Sequence, residues 1–266
     1  MEKLMVGDVE MCYRRAGVGP PLVMLMGLTA NMDWWGPELL DFLARDFSLL
    51  LIDNRGAGRS SAGTAPFSIR QFACDAAGLM KELGVERAHV MGVSMGGMIA
   101  QELALGWPEM VDRLVLCCTS SGGIHARPPR WRAIKTLLRP PPEDPRERAL
   151  LSVPLLFTQP WLSRHPEIVD HFADTVAGAP ISKKNARKQI GAVVRHNTYS
   201  RLRCIQQPTL VLAGLEDVLL PAENSVTLAR GIRGAHMKVF EGAGHGFITQ
   251  CADDVAQSAA AFLLET

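Results

Sequence analysis

The sequence HVMGVSMGGMIAQELAL at residues 89–105 decides the fold class of this chain. Residues 89–93 form a short apolar run that predicts a buried strand, and residues 95–105 have the apolar spacing of a helix. Between them, Gly92 and Gly96 stand two residues before and two residues after Ser94. A sharp turn from a strand into a helix requires glycine at both places, because side chains there would clash. We therefore expect Ser94 at the apex of such a turn, with its hydroxyl above a sheet.

The rest of the chain alternates strand and helix patterns around this motif. Residues 3–6 and 9–14 predict a hairpin, and short apolar runs predict further buried strands. Such alternation indicates an α/β fold, a mostly parallel twisted sheet of about eight strands with helices on both faces. The other predicted strands are 22–26, 47–53, 113–118, 209–213 and 237–240, and the other predicted helices are 37–45, 69–83, 221–230 and 253–264.

Residues 122–203 interrupt the alternation. The segment has no strand pattern, and prolines at 128–129, 140–142, 145, 154 and 160 break short amphipathic stretches at 131–138, 166–176 and 183–194. A disordered linker is the alternative interpretation, but the aromatic residues of the segment are too apolar for it. We predict a helical cap at 122–203, inserted between two strands of a core made of residues 1–121 and 204–266.

The charge balance disfavours polyanionic partners. The chain has 28 Lys and Arg against 27 Asp and Glu, so no strong field favours nucleic acid or an anionic membrane. It has no signal-peptide pattern at its first residues and no apolar run of ~18 residues. We expect a cytoplasmic protein whose partner is a small molecule, and the sequence leaves open whether it is a monomer or a homo-oligomer.

The six cysteines are scattered, and none has the spacing of a zinc site. We interpret them as reduced core thiols. No other cluster of metal-ligand residues is present, so the sequence predicts neither a metal nor a cofactor.

Two further residues complete a site for nucleophilic chemistry at Ser94. A serine hydroxyl is a weak nucleophile until a neighbouring base takes its proton, and that base needs an orienting acid. His245 lies between glycines directly after the last predicted strand, and Asp217 follows the strand at 209–213. Glu216 is a rival for the acid. Asp53 also follows a strand, but it precedes the serine in the chain, so we assign it to holding its own loop.

An acyl-transfer site also needs hydrogen-bond donors for the oxyanion. The backbone N–H of Met95, directly after the serine, is one expected donor. The second should come from the loop after strand 22–26, where Gly27 allows close approach and the N–H of Leu28 is our choice. Trp34, farther along that loop, could form a wall of the substrate pocket.

With these pieces in place, the sequence resembles the α/β-hydrolase superfamily over nearly its whole length outside the cap. The matching motifs are Asp53-Asn54-Arg55-Gly56, Gly92 to Gly97, Gly214 to Asp217 and Gly244-His245. Within the superfamily, the run from Gly92 to Gln101 together with residues 111–116 is similar to small carboxylesterases and enol-lactonases. One departure is Met26, where many relatives have histidine before the loop glycine.

The resemblance implies a cofactor-free serine hydrolase acting on esters or lactones of small, fairly apolar substrates. The fold hosts other chemistries, and these remain as alternatives: a carbon–carbon bond hydrolase or a perhydrolase on the same triad, or a non-catalytic small-molecule receptor. Carbon–carbon bond hydrolases often carry other residues at the positions of Val93 and Gly246. Perhydrolases typically carry another residue at the position of Thr29. The predicted substrate contacts are Gly27, Trp34, Trp131, Trp161 and Phe247.

Overall fold

A single mixed sheet forms the centre of the protein. The computed structural model describes residues 1–265, and within them eight strands are arranged in the order β1-β2-β4-β3-β5-β6-β7-β8. The strands are β1 (Glu2–Val6), β2 (Val9–Ala16), β3 (Pro21–Leu25), β4 (Ser48–Ile52), β5 (Ala88–Val93), β6 (Val111–Cys117), β7 (Thr209–Gly214) and β8 (His236–Phe240).

Strands β3 to β8 run parallel, and the antiparallel hairpin β1–β2 extends one side of the sheet. The hairpin turns at Gly7, whose φ of 58° is one that glycine adopts without steric cost. All six residues of β5 and all six of β7 are buried, because helices cover both faces of these central strands. The predicted α/β fold class is confirmed.

Eleven α-helices lie within the described residues. Phe72 of α2, Ile99 of α3 and Leu228 of α9 belong to one buried cluster, and Leu39 of α1 and Phe262 of α11 belong to the cluster on the other face. The helices are α1 (Pro37–Leu43), α2 (Ile69–Glu82), α3 (Met95–Gly106), α4 (Trp131–Leu137), α5 (Pro145–Leu156), α6 (Gln159–Leu162), α7 (Glu167–Gly178), α8 (Lys183–Arg195), α9 (Glu223–Gly231), α10 (Phe247–Gln250) and α11 (Ala252–Leu263).

Helices α4 to α8 fall within residues 122–203, hereafter the cap segment, and connect β6 to β7. The prediction that prolines break this segment was wrong in part. Pro145 begins α5 at a position where the missing N–H is not needed, and Asp144 accepts hydrogen bonds from the N–H groups of Arg146 and Glu147. Pro154 lies inside α5. It lies in the last turn, two residues before the helix ends, and without an N–H it cannot donate to the Leu150 carbonyl oxygen as another residue would.

The cysteines are free, as expected, but they are not all core residues. Cys12, Cys117 and Cys118 are buried, whereas Cys74 and Cys204 are exposed. The two exposed residues correct the interpretation of the cysteines as core thiols. No helix in residues 1–265 is long and apolar enough to cross a membrane.

The parallel strands bring the predicted site residues to one edge of the sheet. Ser94 follows β5 directly, Asp217 follows β7 by three residues, and His245 lies in the loop after β8. Gly27 and Leu28 follow β3, the neighbour of β5. The carboxyl ends of parallel strands meet at this edge, which is where α/β sheets bind their ligands.

Candidate active site

Ser94 occupies a strained turn between β5 and α3. Its backbone has a φ of 56° and a ψ of −117°, a conformation uncommon for residues other than glycine. Gly92 and Gly96 have no positive φ, so their role is close approach. A methyl group at position 92 would overlap the carbonyl oxygen of Gly96, and one at position 96 would overlap the carbonyl oxygen of Leu25. The strain therefore falls on the serine itself.

Two hydrogen bonds hold this turn against the neighbouring strand. The Ser94 N–H donates to the carbonyl oxygen of Cys117 at the end of β6, at 2.9 Å. The Thr119 hydroxyl donates to the Ser94 carbonyl oxygen at 2.6 Å. A strained conformation persists only when its surroundings fix it, and these contacts do so. The sequence analysis did not single out Thr119, although it lies directly after a predicted strand.

His245 and Asp217 form a buried hydrogen-bonded pair. His245 Nδ1 lies 2.6 Å from Asp217 Oδ2. The other carboxylate oxygen, Oδ1, accepts the backbone N–H groups of Leu219 and Leu220 at 2.8 Å and 2.9 Å. The carboxylate is thereby fixed in orientation by its own loop, and the imidazole is oriented by the carboxylate.

The pair also changes how His245 binds protons. Burial opposes protonation of the imidazole, but the Asp217 carboxylate favours the charged form by its negative charge and its hydrogen bond, and the net effect raises the pKa of His245 well above its usual range. Burial is the largest single effect, and it is outweighed only by the sum of the Asp217 charge, its hydrogen bond at 2.6 Å and the neighbouring Cys118.

The two competing carboxylates lie elsewhere. Glu216 is exposed. Asp53 is buried, and its two oxygens accept the backbone N–H groups of Met32 and Arg59, each at 2.8 Å. Burial raises the pKa of Asp53. Asp217 is therefore the acid that the structure brings to His245, and Asp53 bridges two loops.

Cys118 is a site neighbour that sequence reasoning missed. Its sulfur, one Asp217 oxygen and one His245 nitrogen lie within 4.8 Å of one another, and all three residues are buried. Cys118 has a φ of 38° and is held by its N–H, which donates to the Leu212 carbonyl oxygen at 2.8 Å. Its position as the last residue of the predicted strand at 113–118 was the available signal, because the carboxyl ends of parallel strands share one edge.

The loop after β3 lies against the serine. A methyl group at Gly27 would come within 3.1 Å of the Ser94 Cβ and 3.3 Å of the Val93 carbonyl oxygen, so glycine allows the close approach. Within residues 1–265, the N–H groups of Leu28 and Met95 donate to no other group. Neither N–H is therefore occupied by the protein itself, and the role of both as oxyanion donors stays a prediction.

The Met26 carbonyl shows how this loop is anchored without the histidine of many relatives. The Asn54 side chain donates from Nδ2 to the carbonyl oxygen of Met26 at 2.9 Å, and this contact is buried. The Met26 side chain belongs to the core cluster beside α1 and α11. The anchor thus comes from a residue in the Asp53-Asn54-Arg55-Gly56 motif.

The predicted substrate contacts lie in three different environments. Trp34 contacts Phe172 of α7 edge-on at 4.7 Å, and Trp161 stacks on Phe157 at 5.2 Å, so both tryptophans belong to the apolar cluster of the cap segment. Trp131 is 67% exposed on α4. Phe247 is fully buried in the core, stacked on Phe240.

The cap segment closes over the histidine loop. The Gly246 N–H donates to the Leu156 carbonyl oxygen of α5 at 2.7 Å, and the Thr158 hydroxyl donates to the Gly242 carbonyl oxygen at 2.9 Å. A surface cleft of about 500 Å³ lies between α1 and α7 and does not border Ser94, Asp217 or His245. This cleft is therefore separate from the candidate site.

Comparison with known proteins supports the fold described above. A family model described as alpha/beta hydrolase fold matches residues 20–249. The chain is 30% identical over 243 residues, 91% of its length and 90% of the relative, to "Putative carbamate hydrolase RutD" of Azorhizobium caulinodans. It is 29% identical to a poly(3-hydroxyalkanoate) depolymerase of Ectopseudomonas oleovorans, over 91% of the chain and 84% of that protein. The solved enol-lactonase of Burkholderia xenovorans is 26% identical, with a TM-score of 0.86 over 99% of this chain and 100% of that one.

The matched segment runs from the turn before β3 to the loop that carries His245, so it includes every strand that positions the site. The chain belongs to the α/β-hydrolase fold family.

Proposed function

We propose that the protein is a serine hydrolase that cleaves carboxylic esters or lactones of small, fairly apolar substrates through an acyl-enzyme on Ser94. One observation carries the proposal: a strained serine, an oriented His–Asp pair and two unpaired backbone N–H groups lie at the same edge of the sheet. These are the nucleophile, the base with its orienting acid, and the oxyanion donors that acyl transfer requires.

The proposed reaction follows from which atoms are free. Asp217 engages Nδ1 of His245, which leaves Nε2 to accept the proton of the Ser94 hydroxyl. The serine oxygen bonds to the substrate carbonyl carbon, and the N–H groups of Leu28 and Met95 bind the resulting oxyanion. The imidazolium then protonates the leaving alcohol as the carbon–oxygen bond breaks. Water, deprotonated by His245, releases the acid in the same way and restores the serine.

The substrate class rests on the lining that the cap segment offers. Phe172 contacts Trp34 on one side and Phe157 on the other, both edge-on, and such a cluster favours apolar acyl or alcohol groups. The Trp34 indole N–H is buried without a hydrogen-bond partner in residues 1–265, so a bound substrate could supply the acceptor that buried donors normally have. Gly27, Trp131, Trp161 and Phe247 remain predicted contacts.

Carbamates are a second candidate substrate class, favoured by the relatives named as carbamate hydrolases. The same nucleophile, base and oxyanion donors would act on a carbamate carbonyl. The two classes differ only in the group that flanks the carbonyl. The residues that line the pocket therefore determine which class is cleaved.

The nucleophile is tested by covalent labelling. A fluorophosphonate should add to Ser94, as located by peptide mass, and Ser94→Ala should abolish both labelling and turnover of a short p-nitrophenyl ester. Ser163→Ala, which changes an exposed serine of the cap segment, is the matched control and should leave both unchanged. Labelling at another serine, or an active Ser94→Ala variant, would contradict the proposal.

The substrate class is tested separately with a panel of esters, lactones and aryl carbamates of graded acyl length. We expect the highest kcat/KM among the esters or lactones with apolar acyl groups. A preference for carbamates would keep the serine mechanism and replace the substrate class. Binding of these compounds without any turnover would instead indicate a receptor.

A further inference from the structure

Gln189 is a fully buried polar residue on a cap helix whose other polar residues mostly face outward. Its relative exposure is 0%, although α8 as a whole is rich in lysine and arginine. A buried side-chain amide costs free energy unless its hydrogen bonds are satisfied. The hydrogen-bond partners of this amide therefore indicate its structural role.

Both partners belong to the core, one in the loop after β3, which lies against Ser94, and one in the loop after β4. The Gln189 Oε1 accepts the backbone N–H of Thr29 at 2.8 Å. The Nε2 makes a longer contact, 3.5 Å, with the Arg55 carbonyl oxygen. Gln189 thus links α8 to the loop that carries Leu28.

Thr29 is a residue that needs such a partner. Its φ is 63°, a conformation that a β-branched residue rarely adopts. Strained backbone of this kind persists only where surrounding contacts fix it. The hydrogen bond that the Thr29 N–H donates to Gln189 Oε1 is the side-chain contact that fixes this backbone.

The peptide group that carries the Leu28 N–H lies between two clamped peptide groups. On one side, Asn54 holds the carbonyl oxygen of Met26. On the other side, Gln189 holds the N–H of Thr29. The two clamps hold the chain on either side of this peptide group, and its own carbonyl, that of Gly27, accepts the Ala30 N–H at 3.3 Å. The turn closed by Thr29 thus sets the direction in which the Leu28 N–H points, because N–H and carbonyl lie in one plane.

We propose that Gln189 is a positioning residue that sets the oxyanion hole from the cap segment. This inference rests on the proposed function, because it assigns Gln189 to the Leu28 donor of that reaction. The hydrogen bond makes the oxyanion donor depend on how α8 is seated. If the cap segment moves away from the core, Thr29 loses this hydrogen bond. The Leu28 N–H is then no longer held in its orientation.

The test compares variants that differ in the acceptor oxygen. Gln189→Met keeps the length of the side chain and removes the acceptor, so kcat for a p-nitrophenyl ester should fall by about 10²-fold, as for a misplaced catalytic group. KM should change little. The affinity for a trifluoromethyl ketone, which binds as an oxyanion, should fall by a similar factor. Gln189→Glu retains an acceptor oxygen for Thr29 and should keep kcat within about tenfold of the wild type.

Asn185→Ala is the matched control. Asn185 lies one turn earlier on α8 and donates to the Gly56 carbonyl oxygen at 3.1 Å, so it holds the same helix without touching the Thr29 loop. We expect wild-type kcat and ketone affinity for this variant. Thermal melting accompanies each measurement, and if Gln189→Met melts below the assay temperature, Gln189→Asn withdraws the same oxygen by one methylene.

Three results would overturn the inference. A folded Gln189→Met or Gln189→Asn enzyme with wild-type kcat would remove the positioning role. An equal loss in Asn185→Ala would assign the effect to the seating of α8 in general. A rise in KM with unchanged kcat would assign Gln189 to substrate binding. If instead the wild-type enzyme turns over no carbonyl substrate, the proposed function fails before Gln189 is tested.

Discussion

His245 holds a proton more tightly than a free imidazole does, because the Asp217 carboxylate lies 2.6 Å from its Nδ1. The effect opposes the first step of the proposed reaction slightly, since only the neutral ring can accept the serine proton. It favours the state that follows, in which a protonated ring stands beside an oxyanion. A triad gains from this second effect, because the imidazolium forms on the way to the transition state.

The raised pKa predicts where the pH profile rises. His245 must be neutral to act as a base, and a raised pKa means that the neutral form appears only at higher pH. The acidic limb of kcat/KM for the free enzyme should therefore have its midpoint above the reference histidine value of ~6.5. Asp217→Asn removes the negative charge, so the limb should move to lower pH while kcat falls by about 10⁴-fold. Both are read from a pH–rate series on one ester.

Glu216→Gln is the control for that series. It removes a carboxylate next to Asp217 in the chain, but one that is exposed, where solvent screens its charge. The midpoint of the acidic limb and kcat should both stay at wild-type values. A shift in this variant as large as that in Asp217→Asn would reassign the acid.

Helix α3 begins directly after Ser94, and glycine brings its first turn against β3. A methyl group at position 96 would overlap the Leu25 carbonyl oxygen, whereas one at Gly106, the last residue of the same helix, would meet nothing within 4 Å. The two glycines thus have different roles within one element. Gly96 is required by contact, and Gly106 is not.

This contrast gives a paired prediction on stability. Gly96→Ala should lower the free energy of unfolding by about 1–3 kcal/mol, as overpacking against a backbone does, and should also reduce kcat because Ser94 is displaced. Gly106→Ala should be neutral or stabilising by up to about 1 kcal/mol, because alanine favours the helix. Urea denaturation of both variants provides the comparison. A Gly96→Ala variant as stable as wild type would show that α3 can move away from β3 at little cost.

At the level of elements, the sequence predicted the core strands because short apolar runs and their following glycines are local signals. The predicted strand at 89–93 and the observed β5 (Ala88–Val93) differ by one residue. Helix α5 was not predicted, because its apolar residues do not follow one helical face and Pro154 interrupts them. The roles of Gln189, Asn54 and Thr119 were not predicted, for another reason. Their roles depend on contacts with segments distant in the chain, and no local pattern records such contacts.

Across the whole molecule, the cap segment is tied to the core at the loop after β8 and the loop after β3. The junction of α5 and α6 holds the loop of His245 through Leu156 and Thr158, and α8 holds the loop of Leu28 through Gln189. Asn31 adds a further link, because its side chain donates to the Ala179 carbonyl oxygen at 3.2 Å. The cap segment therefore contributes to the geometry of the site as well as to its cover.

The molecule is also expected to work without a metal. In residues 1–265, the one group with three metal-ligand side chains is Cys118, Asp217 and His245, and an ion there would compete with the His–Asp hydrogen bond. EDTA should thus leave kcat unchanged, and added zinc should lower it. The measurement is ester turnover after dialysis against chelator, with zinc restored in one arm. Activity lost on chelation and recovered with zinc would contradict the serine mechanism.

The buried amide of Gln189 has a consequence for exchanging caps between members of the family. A cap segment transplanted from a relative brings its own residue to position 189, and the recipient loop at Thr29 keeps its strained backbone. A chimera whose donor helix has no acceptor at that position inherits a new pocket together with a misaligned oxyanion hole. It would bind new substrates and turn them over slowly. Grafts onto this core should therefore retain glutamine at position 189, whatever else in the cap is changed.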